Sequence, residues 1–565
     1  MLPFLLACTH QPPDPRPPER PVTLHFAFLN DFHGGLYEQP VKDDPSRALG
    51  GFPFLAAAIG SLRQADAELV VLDGGDLFQG SWPVNASQGI GAIDAYNLLG
   101  VTAAAVGNHE FDYGGGADHR GALAAAAERA KFAWLSANVH PLPASGLRRW
   151  TLVERKGVKI GIIGLTTVDT PTTTTAANVA DLTFADPVAT VRDLLPEVRA
   201  AGAEVVAVVG HLSGKCAEAP RSAILPPETC TPDGEIGRLL TELPPGSIDI
   251  LAVGHAHTLI GNRIGDTFVF EDRAEGVAIG RLDLVVTEEG IDRAASVLHP
   301  PWFLSHASVD PRCEPGEYDL SERDVGGVNL APSPGALALV RGLEGSAGSL
   351  CEEIGCAEAP LSRAREAESG AGDLVADLMR AAFPAADVAV QNSGGIRADL
   401  PGGKLRREHV QAVMPFQNRT LLVEISGAKL LTLFRIGSSG AHGLPQVSGA
   451  RYRFDPTRTG GTDLDGDGKV DAWETDRLCW VDVGGVRVDP GKTYRVATTD
   501  FLLNGGDHLG PALADAPVIG EGALLRDVLI TGIDAAPTCL PSLPDKASPR
   551  IEIGACEAGA TGAKP

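Results

Sequence analysis

The stretch Ala105–Gly114, AVGNHEFDYG, carries an apolar run as far as Val106, breaks at one glycine, and then sets Asn108, His109, Glu110, Phe111 and Asp112 side by side. A continuous apolar run of this kind fits a strand buried on both faces. The residues just past the carboxyl end of such a strand are where α/β sheets gather their ligands. The pattern recurs. LHFAFLNDFHG ends at Asp31 and His33, ELVVLDGGD at Asp76, EVVAVVGH at His211, and DILAVGHAH at His255 and His257, while VKIGIIGLT adds a further run. Stretches of more helical character separate the runs, so residues from Val22 to about Val286 predict strands covered by helices.

With 565 residues, 44% of them hydrophobic and 21% charged, the chain is long enough for more than one domain with sizeable cores. Its formal charge of −25 argues against a general polyanion-binding surface, so no nucleic-acid polymer is expected as a partner. A local basic pocket for a small phosphorylated ligand remains compatible with that charge.

The opening MLPFLLAC, followed by THQPPDPRPPERP, resembles the end of a bacterial lipoprotein signal with a proline-rich tether, in which Cys8 would carry the lipid. No apolar run is long enough to span a bilayer, so membrane contact is expected only through such an anchor. Eight cysteines remain after Cys8, an even number that predicts disulfides in an oxidising compartment. Local pairing predicts Cys216–Cys230, Cys351–Cys356 and Cys539–Cys556, although spacing alone does not fix connectivity.

Asp31, His33, Asp76, Asn108, His211, His255 and His257 form a chemically coherent set. Imidazole, carboxylate and amide oxygen together suit zinc, manganese or iron, and a carboxylate can bridge two cations. Two such metals activate water and clamp phosphoryl oxygens. His109, beside Asn108, and Asp112, three residues on, have the spacing of an imidazole oriented by a carboxylate.

The order of these motifs (Asp-x-His, GD, GNHEFD, GH and GHAH) resembles the calcineurin-like metallophosphoesterases, and GNHEFD is similar to their 5′-nucleotidase branch. The resemblance implies an α/β fold: a four-layer metallophosphoesterase β-sandwich flanked by helices, plus a second α/β (α+β) substrate-binding domain. It further implies one metal held by Asp31, His33, Asp76 and His257. A second would be held by Asp76, Asn108, His211 and His255, with Asp76 bridging. His109 and Asp112 would be the catalytic dyad, and metal-bound hydroxide the nucleophile.

In the second half, NSGGIR (Asn392–Arg397), AVMPFQN with Phe416, and DFLLNGGDHLG with Phe501 and Asp507 resemble the 5′-nucleotidase C-terminal domain. That likeness implies Phe416 and Phe501 stacking on a nucleobase, Asp507 accepting from ribose hydroxyls, and Asn392 and Arg397 in the substrate site. Ser393 stands where the family usually has another glycine, and Asp373 where it has asparagine. Arg363 and Arg365 are candidates for further phosphate contacts. The expected organisation is a signal-like segment and tether over 1–20, the phosphoesterase domain over 21–302, and a linker with a connecting helix over 303–350. A substrate-binding domain over 351–555 and a disordered tail over 556–565 follow.

DLDGDGKVDAWE, Asp463–Glu474, matches the twelve-residue EF-hand loop. Asp463, Asp465, Asp467, the Lys469 carbonyl, Asp471 and Glu474 fall at its calcium-ligand positions, with Gly468 at the sharp turn. Its flanks do not read as paired amphipathic helices, which predicts a structural calcium site rather than a sensor.

The expected function is an exported, monomeric, metal-dependent hydrolase that releases phosphate from nucleotides. Alternatives are a 2′,3′-cyclic nucleotide phosphodiesterase, a nucleotide-sugar pyrophosphatase, a thiosulfohydrolase of sulfur oxidation, and a non-enzymatic nucleotide-binding or adhesion protein of the cell surface. Two aromatic residues at the substrate positions favour nucleotides over sulfur substrates.

Overall fold

The computed structural model describes residues 20–556, apart from 42–43, 115–118, 176–177, 215, 217–229, 231–233, 310–312, 314–316, 348–349, 417, 472, 514 and 545–547. Cys8, the signal-like segment through residue 19, and tail residues 557–565 lie outside the described residues.

The strands of the first half are β1 (Val22–Leu29), β2 (Val70–Asp73), β3 (Ala103–Ala105), β4 (Ala133–Leu135), β5 (Trp150–Arg155) and β6 (Val158–Thr166). They continue with β7 (Val205–His211), β8 (Ile250–Gly254), β9 (Leu259–Ile264), β10 (Thr267–Asp272), β11 (Ala278–Thr287) and β12 (Gly290–Phe303). They form two six-stranded sheets, in the orders β12-β11-β1-β2-β3-β4 and β9-β10-β8-β7-β6-β5. Every strand whose end carries the polar residues runs parallel to a neighbour, β1 with β2, β2 with β3, and β7 with β8.

The sheets pack face to face. Leu24, Phe26, Phe28, Leu72, Ile160, Val209, Ile250 and Phe270 share one buried cluster, in which the Phe28 and Phe270 rings stack at 3.8 Å. Alternate residues of the same strands point outward under helices: Phe52–Ala65, Ile90–Leu99 and Gly121–Arg129 on the first sheet, and Pro187–Ala200 and Glu235–Glu242 on the second. A strand caught between a second sheet and a helical layer has no wet face, which is why its sequence is apolar throughout rather than alternating.

The described residues within 303–350 include strands and a helix. Ser305–Ala307 pairs with Arg47–Leu49, Arg323–Val325 pairs with Val328–Leu330, and Pro334–Ala347 is a helix whose Ala336 and Val340 enter the first core. The second half is built on a five-stranded sheet, β13 (Val388–Asn392), β14 (Arg419–Ser426), β15 (Pro445–Ser448), β16 (Thr493–Thr499) and β17 (Val518–Leu524), in the order β15-β13-β16-β14-β17. A four-stranded sheet ordered Val486–Arg487, Leu478–Val483, Ala450–Phe454, Ile551–Ile553 lies beside it.

Four disulfides join Cys216–Cys230, Cys313–Cys351, Cys356–Cys539 and Cys479–Cys556. The expected pairs Cys351–Cys356 and Cys539–Cys556 are therefore replaced by long-range ones. The sheet explains the exchange. Leu540 donates its N–H to the Cys356 carbonyl at 2.7 Å, which sets Cys539 beside Cys356. The strands bearing Cys479 and leading to Cys556 flank the same strand, Ala450–Phe454. Cys556 thus belongs to the folded domain and not to a tail.

Candidate active site

All seven candidate ligands of the first domain converge beyond the carboxyl ends of β1, β2, β3, β7 and β8. Close backbone approach makes this possible. A Cβ on Gly107 would lie 2.0 Å from Asp76 Oδ1, so the residue that follows β3 and Val106 has to be glycine.

Asp76 is central. Its Oδ2 lies 3.1 Å from His211 Nε2, 3.7 Å from His33 Nε2 and 3.9 Å from His109 Nε2. Asp31 Oδ1 lies 3.4 Å from His257 Nε2 and 4.0 Å from His211 Nδ1. His33 and His257 approach Nε2 to Nε2 at 3.1 Å, and His255 Nδ1 lies 3.1 Å from His211 Nε2. Ligand atoms fall within reach of one another in three groups: Asp31, His33 and His257; Asp31, Asp76 and His211; and His33, Asp76 and His109.

The surrounding hydrogen bonds aim the donors inward. His33 Nδ1 bonds the Phe78 carbonyl at 3.1 Å, so its Nε2 lone pair faces the cluster. Asn108 Nδ2 donates to the Thr173 carbonyl at 3.1 Å, while its Oδ1 is buried with no hydrogen-bond partner. Burial pushes His33 and His255 down to about 3, and neighbouring imidazoles push the same way, so both rings stay neutral. Burial also opposes charge on His211, yet the Asp76 and Asp31 carboxylates beside it outweigh burial and raise it to about 10. An orphaned amide oxygen, facing imidazole lone pairs and two carboxylates make a donor set that suits divalent cations.

His109 begins a short 3₁₀ turn, His109–Phe111. Its Nδ1 meets Asp112 Oδ2 at 2.6 Å, and Asp112 Oδ1 accepts from Thr174 Oγ1 at 2.9 Å. Burial works against its charge, but Asp112 and Asp76 prevail and hold its pKa above the ordinary value.

Glu110 received no role from the sequence, although it lies inside the motif. It is fully buried and accepts from the N–H groups of Asp76, Leu77, Phe78 and Gly107, which ties the β2 and β3 loops together.

The second domain closes over this cluster. The Phe416 ring lies 5.8 Å from the His109 ring, and the Arg397 guanidinium lies 5.9 Å over Phe416. Burial, and then the like charges of Arg365 and Arg363, push Arg397 below its ordinary value, as expected of cations crowded into one patch. Arg363 and Arg365 are themselves exposed. Asn392 Nδ2 donates to Asp507 Oδ2 at 2.8 Å. Phe501 lies under the Gly506 backbone, where an added Cβ would meet its ring at 2.4 Å. Phe416 and Phe501 make no ring contact with each other among the described residues.

In the acidic loop, Asp463, Asp465 and Glu474 bring carboxylate oxygens within ligand reach of one another, with Asp467 and Asp471 outside that trio. Glu474 is buried and accepts from the N–H groups of Leu464, Asp465 and Asp471 at 2.6, 3.1 and 2.7 Å. Lys469 donates its N–H to Asp467 Oδ1 at 2.7 Å.

Comparison with known proteins follows the same division. Residues 24–259 match the family described as calcineurin-like phosphoesterase, and residues 349–515 match the 5′-nucleotidase C-terminal domain. The chain is 26% identical to cell wall protein Lmo0130 of Listeria monocytogenes, over 91% of this chain and 66% of that protein. It is 25% identical to the trifunctional nucleotide phosphoesterase protein YfkN of Bacillus subtilis, over 96% of this chain and only 35% of that protein. The chain thus spans between about a third and two thirds of the length of these relatives. A 5′-nucleotidase precursor from Thermus thermophilus shares the fold, with a TM-score of 0.74 at 24% identity over 94% of this chain and 99% of the other. Among the described residues no helix is long and apolar enough to cross a membrane. The chain belongs to the proteins that join a calcineurin-like phosphoesterase domain to a 5′-nucleotidase C-terminal domain.

Proposed function

We propose that the chain is an exported, metal-dependent hydrolase that removes phosphate from nucleotides. The observation that carries this reading is the composite cleft. His109, bonded to Asp112 on the first domain, lies 5.8 Å from Phe416 on the second, with Arg397 alongside. A phosphate at His109 and an aromatic group above it occupy one space.

Asp31, His33, Asp76 and His257 would hold one divalent cation, and Asp76, Asn108, His211 and His255 a second, as zinc, manganese or iron. When bound, such a pair supplies Lewis acidity and lowers the pKa of water. The remaining work falls to the chain. Asp112 accepts a hydrogen bond from Nδ1 of His109 and fixes the ring. With Nδ1 bonded to Asp112, the imidazolium presents its Nε2 proton, placed to stabilise charge on the leaving oxygen and then to protonate it. Arg397, supported by Arg363 and Arg365, orients the phosphate. Asp463, Asp465, Asp467, Asp471, Glu474 and the Lys469 carbonyl would hold calcium. Four disulfides support an exported protein.

The test is a hydrolysis panel of 5′-mononucleotides, 2′,3′-cyclic nucleotides, nucleotide sugars and an aryl phosphate, with defined metals. The 5′-mononucleotides are expected to lead. His109→Ala is expected to lower turnover by about 10²–10⁴-fold while elemental analysis shows the metals retained. Loss of metal in step with activity makes His109 a ligand, in the third of the groups described above, and overturns the dyad.

A further inference from the structure

Trp473 sits inside the acidic loop but at none of its ligand positions. Its indole stacks on the imidazole of His508, with ring centroids 4.4 Å apart and the planes 8° from parallel. His508 directly follows Asp507, and both residues are left-handed, with φ of 61° and 54°. Two successive non-glycine residues keep that conformation only when their surroundings hold them there. Three supports are present. Asn392 Nδ2 bonds Asp507 Oδ2 at 2.8 Å, the His442 ring lies 4.8 Å from the His508 ring, and Trp473 stacks on His508. Asn392, His442 and Asp507 line a common cavity. The loop that delivers Trp473 is itself anchored, because Leu464 is buried in the second domain's core and Trp473 packs against that core.

We infer that Trp473 is a positioning residue for substrate recognition: through His508 it holds the left-handed turn that aims Asp507 into the cavity, where the hydroxyl groups of a nucleoside are read. The inference rests on the nucleotide reading proposed above and extends it to the inserted loop. Arg397 and the metal-side residues act at the phosphate end, so the stack should govern the nucleoside end alone.

The experiment compares wild type, Trp473→Ala, Trp473→Phe and His508→Ala by steady-state kinetics at a constant level of catalytic metal. The substrates are adenosine 5′-monophosphate and p-nitrophenyl phosphate, which has no ribose. Trp473→Ala and His508→Ala are expected to raise KM for the nucleotide by about tenfold with kcat held within about twofold, the signature of lost binding rather than lost chemistry. Hydrolysis of p-nitrophenyl phosphate should be unchanged, and Trp473→Phe, which keeps a stacking ring, should restore the nucleotide KM. Thermal melts accompany each variant. If Trp473→Ala unfolds, His508→Ala decides, since it removes the stack but leaves Leu464 and Trp473 on the second domain's core. An unchanged nucleotide KM in the folded variants overturns the inference, as does an equal loss on both substrates. A wild type that hydrolyses p-nitrophenyl phosphate but no mononucleotide overturns the nucleotide reading and this inference with it.

Discussion

Asp31, His33, Asp76, His255 and His257 all adopt positive φ, between 45° and 103°. Each such residue costs about 1–2 kcal/mol relative to a right-handed conformation, so the ligand cluster needs external support. Glu110 supplies part of it through the four N–H groups it accepts. Burial and then Asp76 push Glu110 up to about 7, yet four converging donors fit only the ionised, acceptor-only carboxylate. Glu110→Gln turns an amide NH₂ toward those donors. It is expected to destabilise the fold by at least about 2 kcal/mol and to weaken metal retention, measured by denaturant unfolding and elemental analysis. Unfolding and metal content equal to wild type would show that the loops hold their shape without it. The residue types of this site were legible in the sequence because the ligand chemistry sits in short local motifs. The left-handed turns were not, since glycine is the only residue that announces them. Nor was Glu110, whose four partners come from two separate loops. Asp373 is a second buried carboxyl. Burial, aided by Glu368 and Asp377, pushes it up to about 8 against the pull of Arg550, so the folded protein keeps a proton that the unfolded chain releases near 3.8. Stability should therefore fall as pH rises between those values. Asp373→Asn removes the titration, and its melting temperature should exceed wild type by about 2–4 °C at pH 8, with a smaller gap at pH 5. A gap independent of pH sinks the assignment.

At the scale of elements, the apolar runs predicted strands in the first half because burial on both faces leaves a continuous hydrophobic signature. The division of those strands between two packed sheets came from the family resemblance rather than from the runs, because neighbour order in a sheet is a long-range property. Cys216–Cys230, a local pair, forms as expected, and the other two expected disulfides failed for the same long-range reason. Cys356 and Cys539 are 183 residues apart and meet only because a strand pairing brings them together. The acidic loop is the opposite case, since its twelve residues form a unit that can be read locally. With Asp463, Asp465 and Glu474 already clustered and Leu464 buried beneath them, calcium has little backbone to reorder. Calcium at a hundred times its dissociation constant should stabilise the protein by about 2.7 kcal/mol, seen as a rise in melting temperature. Glu474→Gln, which removes the charge of the carboxylate at the last ligand position, should abolish most of that rise. Calcium that leaves the wild-type melt unmoved excludes a site in this loop.

On the scale of the whole molecule, the composite cleft proposed above requires the two domains to stay docked. The Pro334–Ala347 helix that joins them is bracketed by the Cys313–Cys351 disulfide, which limits how far the second domain can stray. Side-chain contacts join the two halves. Arg526 lies 5.1 Å over the Trp82 ring, and Asn85, completely buried, donates to the Pro415 carbonyl at 2.8 Å. Pro415 precedes Phe416, so this bond fixes the ring that faces His109. Asn85 also accepts from Gly80 N–H at 3.0 Å and Tyr113 O–H at 2.7 Å, both within the first domain. Asn85→Asp preserves the size and these acceptors but places a carboxylate oxygen against the Pro415 carbonyl. Asn85 Nδ2 also donates to the Gly80 carbonyl at 3.1 Å, so the change removes two hydrogen bonds of a buried amide, one of them across the domains. Each costs about 1–3 kcal/mol, enough to shift a marginal docking equilibrium. The expected result is a larger radius of gyration by small-angle scattering and a fall of about tenfold in kcat/KM for mononucleotides, with the metal content of wild type. Unchanged scattering together with unchanged kinetics would mean that the remaining contacts between the domains hold them without Asn85. Reduced activity at constant radius would place the defect in the Phe416 loop alone, because a local shift of that ring moves the substrate without moving the domain.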